Sequence, residues 1–268
     1  MQVYDPKTKA LYNQKTKSLT VCEYHNLAEI LPKYDVSEMI FYDMPSGLEI
    51  LSKYPKITKI RLHSVGVDDV KFLEGLRRLE SLEIWLGTLS TLDLTFCAHS
   101  LKRLELVRLR RLKDLSSLPV MPRLRQLRLE SLHGMEPPDF SHISGLTFLT
   151  INNTDWPSLR WLSHLPKLEQ LGLWGNKIED GDWRPILKLT KLDHVNGVKN
   201  VFKAAAVKEL QKLRPSLDVD KGFRPTDSEK YREALELMKR KMRGHAATCV
   251  PPQPDTNKCR IEQRPRAE

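Results

Sequence analysis

Histidine and cysteine side chains are the first candidates for metal binding or nucleophilic catalysis in this sequence. The eight histidines are scattered along the chain, and none has a partner at metal-ligand spacing. The four cysteines form no CxxC pair. No HExxH, GxSxG or GxGxxG motif and no phosphate-binding glycine–lysine loop occurs. The sequence therefore predicts a non-catalytic protein that uses no metal and no cofactor.

The overall charge and the apolar runs set the expected partner and compartment. A formal net charge of +10 over 268 residues raises the question of an anionic partner. Residues 1–19 contain no apolar run typical of a Sec-type signal peptide, and no segment approaches the roughly 18 apolar residues of a membrane span. Four cysteines without a pairing pattern favour a reducing compartment. We expect a cytoplasmic, intracellular protein that is monomeric on its own.

The stretch LKRLELVRLRRLKDL, residues 101–115, could be a basic amphipathic helix or one unit of a repeat. Its LxxLxL frame recurs nine more times at steps of 20 to 24 residues. Positions 1, 4 and 6 of these ten frames are apolar in 27 of 30 cases. The repeat explains the leucines better than the helix does, so we adopt it. The ten frames begin at residues 16, 36, 57, 79, 101, 124, 146, 168, 192 and 214.

With this frame, the sequence resembles the short-period intracellular leucine-rich repeat proteins, whose pattern is LxxLxLxxNxI. The resemblance covers about residues 16–220, and LEQLGLWGNKIEDGDW is the best match, with Asn176 at position 9. In that family the asparagine hydrogen-bonds the loop backbone between neighbouring coils. The other units depart from the pattern there, so the chain must satisfy these amides in another way. Position 9 holds Val65, Gly87, Leu109, Leu132 and Thr154 in five of them.

The resemblance implies an α/β solenoid, a right-handed horseshoe with a parallel concave sheet of about ten strands. Prolines keep most convex segments short or irregular, while 26–34 and 201–214 look helical. Residues 223–244 contain a capping box, Thr226 to Glu229, and predict a helix that caps the solenoid, with partner binding as the alternative. The expected organisation is a partly ordered arm at 1–15, the solenoid at 16–222, the capping helix at 223–244, and a disordered basic, proline-containing tail at 245–268.

Strand positions 3, 5 and 7 of each unit should line the concave face, while positions 4 and 6 point into the core. Four aromatic residues fall on this face, where exposed rings favour partner binding. Basic residues gather there too, interrupted by glutamates. Each feature has an alternative: the rings could cover neighbouring backbone, and opposite charges could pair across strands. The predicted partner-binding residues are Tyr42, Lys59, Arg61, His63, Glu83, Trp85, Arg103, Glu105, Arg125, Arg128, Phe148 and Trp174.

Two classes of function compete on these features. The first is a protein-binding module such as an adaptor, inhibitor or regulator, whose partner is a folded protein or peptide with an acidic patch. The second is nucleic-acid binding through Lys102–Arg128, which holds nine Lys or Arg residues and two acids. The acids at the centre of the same face weigh against the second class, so we favour protein binding.

Overall fold

The computed structural model describes residues 2–5, 10–22, 26–42, 47–116, 118–135 and 137–220. The predicted helix at 223–244 and the predicted disordered tail at 245–268 lie outside these residues. The described part contains the whole predicted repeat region except residues 221 and 222 and the short gaps between those ranges.

Within the described residues, twelve strands form one sheet and follow each other in chain order. The strands from β3 onward are all parallel, so ten strands run side by side, as the ten frames predict. They are β1 Gln2–Asp5, β2 Ala10–Asn13, β3 Ser18–Cys22, β4 Glu38–Tyr42, β5 Lys59–His63, β6 Ser81–Trp85, β7 Arg103–Val107, β8 Gln126–Glu130, β9 Phe148–Asn152, β10 Gln170–Gly172, β11 His194–Asn196 and β12 Asp218–Val219.

The strand register stacks like positions of successive repeats on each other. Leu82 pairs with Leu104, which pairs with Leu127, so position 4 forms a continuous column. These leucines are buried, as are the apolar side chains at positions 1 and 6 of the same units. Each repeat buries its apolar side chains against its neighbours, which is how a solenoid builds one core from units that are unstable alone. The sequence frame and the solenoid prediction are thereby confirmed.

The N-terminal arm contains a hairpin that no motif or periodicity in the sequence predicts. β1 pairs antiparallel with β2, and β2 pairs antiparallel with β3, so the parallel sheet ends in three antiparallel strands. The turn into β3 is stabilised by the Asn13 side chain, which accepts hydrogen bonds from the amides of Lys15 and Thr16. Tyr12 is buried and its hydroxyl donates to the carbonyl of Asp35. The hairpin therefore extends the sheet and covers the first repeat's edge.

The convex side consists of short helical turns. The α-helices are α1 Leu27–Ile30, α2 Val198–Val201 and α3 Ala204–Leu213, and both helical predictions, 26–34 and 201–214, coincide with α-helices. The 3-10 segments are Leu31–Lys33, Leu48–Lys53, Lys71–Leu73, Thr95–Cys97, Phe140–Ile143, Arg160–His164 and Arg184–Lys188.

An aspartate recurs at the start of these convex turns, where its carboxylate accepts the amide two residues later. Such short Asx turns fix the chain's change of direction without a long helix. Side-chain hydrogen bonds, followed by these amide bonds, lower the pKa of Asp114, Asp139 and Asp182, and the amide of Thr95 is the main cause that lowers the pKa of Asp93. The capping residues are Asp69, Asp93, Asp114, Asp139 and Asp182.

A backbone ladder joins successive repeats beside the positions that lack the asparagine. The residue at position 8 has a positive φ in six successive repeats, and in the first five of them its amide donates to the position 7 carbonyl of the next repeat. Arg108, for example, has φ 55° and donates to Glu130 over 2.8 Å. Asn176 adds two side-chain bonds, accepting from the amide of Thr154 and donating to the carbonyl of Ile151. The left-handed residues are Ser64, Leu86, Arg108, Ser131, Asn153 and Gly175.

Candidate protein-binding surface

The strands place ten of the twelve predicted binding residues on the sheet face opposite the core, and Trp174 follows β10 at repeat position 7. They fall in three columns across the sheet, which we call columns 3, 5 and 7 after their repeat positions. Arg125 is the exception, because it precedes β8 and is exposed at the sheet margin. Its guanidinium donates to the carbonyls of Pro122 and Leu124, so it is held there and away from columns 3, 5 and 7.

Charged residues of β4–β8 form a continuous arginine–glutamate network across the concave face. Three arginines and four glutamates contact each other within strands and between strands, so three positive charges face four negative ones. The contacts are Arg61–Glu38 at 3.2 Å, Arg61–Glu83 at 3.4 Å, Arg103–Glu83 at 3.5 Å, Arg128–Glu105 at 3.9 Å, Arg128–Glu130 at 2.6 Å and a close Arg103–Glu105 pair.

The network is largely withdrawn from solvent. Glu83, Glu105 and Arg128 are each buried, with about a twentieth of their surface exposed. Burial, followed by repulsion from Glu105, raises the pKa of Glu83, and the neighbouring arginines oppose that rise. The cross-strand pairing that was the alternative interpretation of the basic residues is therefore what these side chains do. The arginines' charge is already balanced within the protein.

Column 7 of β4–β6 is a buried aromatic row. The rings of Tyr42 and His63 stack with centroids 5.0 Å apart, and His63 meets Trp85 edge-on at 5.6 Å. The Arg128 guanidinium lies 5.1 Å from the Trp85 ring centre, within cation–π range. Tyr42 and Trp85 are each only 6% exposed, although we expected exposed rings. Neighbours on strands about 4.8 Å apart cover each ring, which explains the difference.

The concave face of β9–β11 differs from that of β4–β8. Phe148 in column 3 is 36% exposed, and Trp174 in column 7 is half-buried. Between them, column 5 carries Thr150, Gly172 and Asn196, whose side chains are small or absent. We call these five residues the β9–β11 trough. Thr150, Gly172 and Asn196 were not among the predicted binding residues, although the lack of charge at positions 3, 5 and 7 of these units could have indicated them.

The basic stretch Lys102–Arg128 does not form one surface. Lys102 precedes β7 and pairs with Glu80 at 2.9 Å, while Arg111 lies beyond the strand and pairs with Asp68 at 2.9 Å. Arg103 and Arg128 belong to the network. The cationic groups are thus divided between both margins and the concave face, and most have partners. This arrangement gives no support to the nucleic-acid alternative.

Few groups in the described residues suit catalysis. Burial raises the pKa of the Cys97 thiol to about 12, so it is not a reactive thiolate at neutral pH. No group of three or more His, Cys, Asp or Glu side chains in the described part of the chain is placed to hold a metal ion. The same residues include no helix that is long and apolar enough to cross a membrane.

The repeated frame, the parallel sheet and the short convex turns define a leucine-rich repeat solenoid. The structure is similar to that of an internalin (inlF) from Listeria monocytogenes, with a TM-score of 0.53, 18% identity, and coverage of 77% of this chain and 69% of that one. It is also similar to an internalin C2 (inlC2) from the same species, with a TM-score of 0.51, 20% identity and coverages of 76% and 78%.

The functional domain of InlJ from Listeria monocytogenes is a third similar structure, with a TM-score of 0.51 and 16% identity. That match covers 69% of this chain and 44% of the InlJ chain. No protein-family model and no curated protein sequence matches the chain. At identities of this size the likeness shows the fold alone, which is one that commonly mediates protein binding.

Proposed function

We propose that the protein is a non-catalytic binding module that holds a partner protein or peptide on its concave face and so acts as an adaptor, inhibitor or regulator. The observation that carries this proposal is the position of Phe148 and Trp174. Both rings point away from the core, and Phe148 is one of few large apolar side chains left exposed among the described residues. Aromatic side chains in such positions contribute disproportionately to binding energy.

The charge of the concave face bears on the partner. We expected a partner with an acidic patch, and that remains a prediction. Its basis is narrower, because the arginine–glutamate network is almost electroneutral and only Lys59 is an exposed cation in columns 3, 5 and 7 of β4–β8. We keep the cytoplasmic location and the monomeric state as parts of the same proposal.

Co-purification with matched variants tests which surface is used. The tagged full-length protein is purified from its own cells beside the double variant Phe148→Ala, Trp174→Ala. The control is Val120→Ala, which removes an exposed apolar side chain outside the strands. A stoichiometric partner should be recovered with the unmodified protein and the control but not with the double variant. If the double variant retains the partner and its circular dichroism is unchanged, Phe148 and Trp174 do not hold the partner and the observation that carries the proposal fails.

A further inference from the structure

We propose that the bound partner presents an uncharged, extended segment, and that this segment lies across strands β9–β11 in the trough between Phe148 and Trp174. This inference rests on the proposed function and specifies which half of the concave face is used. It also departs from the acidic partner expected from the sequence, because the two halves of the face differ in charge.

The concave face of β4–β8 is already occupied by the protein's own side chains. In column 5 the network fills the face from Arg61 to Arg128, and each of its arginines contacts at least one glutamate within 3.5 Å. A partner charge placed here would have to displace an existing pair. Exchange of one buried ion pair for another yields little net free energy, because each ion must be desolvated again. This half of the face is therefore a poor place for tight binding.

The concave face of β9–β11 differs from that of β4–β8 in its charge. The described residues in columns 3, 5 and 7 of β9–β11 include no Lys, Arg, Asp or Glu. The charged side chains on the two flanking strands already have partners: Arg128 lies 2.6 Å from Glu130 on β8, and the carboxylate of Asp218 on β12 lies 3.4 Å from the ring of His194. A charged segment buried here would find no unpaired counter-ion and would lose its hydration. A neutral segment avoids that loss.

The column 5 residues Thr150, Gly172 and Asn196 form the bottom of the trough. A Cβ at Gly172 would lie 3.0 Å from the hydroxyl oxygen of Thr150 and 3.2 Å from its methyl carbon, so a larger residue there would push Thr150 aside. Without a side chain, position 172 lets a partner's backbone approach the sheet closely. The side-chain oxygen of Asn196 accepts no hydrogen bond within the described residues. This amide can therefore turn toward a bound backbone N–H and lose no existing bond of that oxygen.

The distance between Phe148 and Trp174 sets the width of the trough. Phe148 and Trp174 are four positions apart along the strand direction and one strand apart across the sheet. At about 3.3 Å per residue and about 4.8 Å between strands, their Cα atoms are about 14 Å apart. An extended chain that runs across the strands fits between rings that far apart, because its successive side chains point to opposite sides. An aliphatic side chain or a proline on each side of such a segment would contact one ring.

Selection from a random library tests this directly. A phage-displayed library of linear 12-residue peptides is panned on the immobilised full-length protein, and the enriched peptides are synthesised with a fluorescent label. The expected peptides have a net charge near zero and carry aliphatic residues or prolines. By fluorescence anisotropy, Phe148→Ala and Gly172→Leu should each weaken their binding at least tenfold. Val120→Ala, which removes an exposed apolar side chain outside the strands, is the control and should leave binding unchanged, and Lys59→Ala probes the charged half of the face.

Each alternative outcome separates the inference from the proposed function. Acidic peptides whose binding is lost in Lys59→Ala but kept in Phe148→Ala would overturn the neutral segment and leave the concave face in place. Peptides whose binding is unchanged in Phe148→Ala, Gly172→Leu and Lys59→Ala would count against both the neutral segment and the use of the concave face. A library that yields no specific binder overturns the inference alone, since co-purification tests the proposed function separately. Phe148→Ala keeps the test valid if Gly172→Leu does not fold, because Phe148 lies outside the core.

Discussion

Glu83 and Glu105 form a matched pair for testing what the buried network contributes to stability. They occupy the same column on adjacent strands, and they are 6% and 5% exposed. Their contacts differ, however. Glu83 lies 3.4 Å and 3.5 Å from the Nε atoms of Arg61 and Arg103, whereas Glu105 accepts a close hydrogen bond from Arg103. The neutral substitutions Glu83→Gln and Glu105→Gln should therefore change stability in opposite directions.

The expected magnitudes follow from these contacts. Glu83→Gln removes a buried charge from a network that has one acid in excess, and we expect a gain of about 1 kcal/mol at pH 7. Glu105→Gln turns a charge-assisted hydrogen bond into a neutral one, and we expect a loss of about 1.5 kcal/mol. The two variants should thus differ by about 2.5 kcal/mol in free energy of unfolding. Urea titrations followed by far-ultraviolet circular dichroism measure both.

The pH dependence gives a second readout. The folded pKa of Glu83 is raised, so its protonated form favours folding, and the native protein loses stability as the pH rises from the unfolded value through the folded one. The advantage of Glu83→Gln should therefore be present at pH 7, shrink as the pH falls through the raised folded pKa, and be absent below about 4.5. If Glu83→Gln is the more destabilising of the two variants at pH 7, the account of the network is wrong.

Three further predictions concern the backbone, each measured by urea unfolding. Arg108→Asn should stabilise the protein by about 0.5 kcal/mol, because asparagine tolerates the left-handed conformation; Arg110→Asn, at a position without a positive φ, should show no gain. Asn176→Ala should cost about 2 kcal/mol, since a buried amide and a carbonyl lose their partner. Gly197→Ala should cost at least about 3 kcal/mol, because its Cβ would lie 2.7 Å from backbone nitrogen; Gly181→Ala, with open space around it, should cost about 1 kcal/mol.

The strands were predictable because the solenoid repeats one local pattern. Nine of the ten frames place their strand two residues after the frame begins, and only the last, at 214, begins its strand four residues in at Asp218. The N-terminal hairpin was not predictable in this way. Residues 2–5 and 10–13 carry no LxxLxL frame and are ordered by pairing with β3, a contact that sequence periodicity does not encode.

The candidate surface was predictable in address but not in exposure. Repeat numbering put Trp85 and Phe148 correctly on the face opposite the core, because side-chain direction alternates along a strand. Their exposure depends on what lies on the next strands. His63 and Arg128 cover Trp85, whereas the residues in register with Phe148 are Gln126 and Gln170, which are themselves exposed and leave the ring 36% exposed. Such coverage involves residues about 22 to 43 positions apart and has to be read across columns.

The positive-φ ladder has a consequence for how this chain can change in evolution. Its links join backbone atoms only, so the five successive junctions from the β5 repeat to the β10 repeat share this contact whichever side chains occupy them. A recombination event that removes or duplicates one whole repeat would recreate the same junction, provided that the frame is kept. The number of repeats, and hence the length of the concave face, can therefore vary by duplication while point substitutions alter its surface independently.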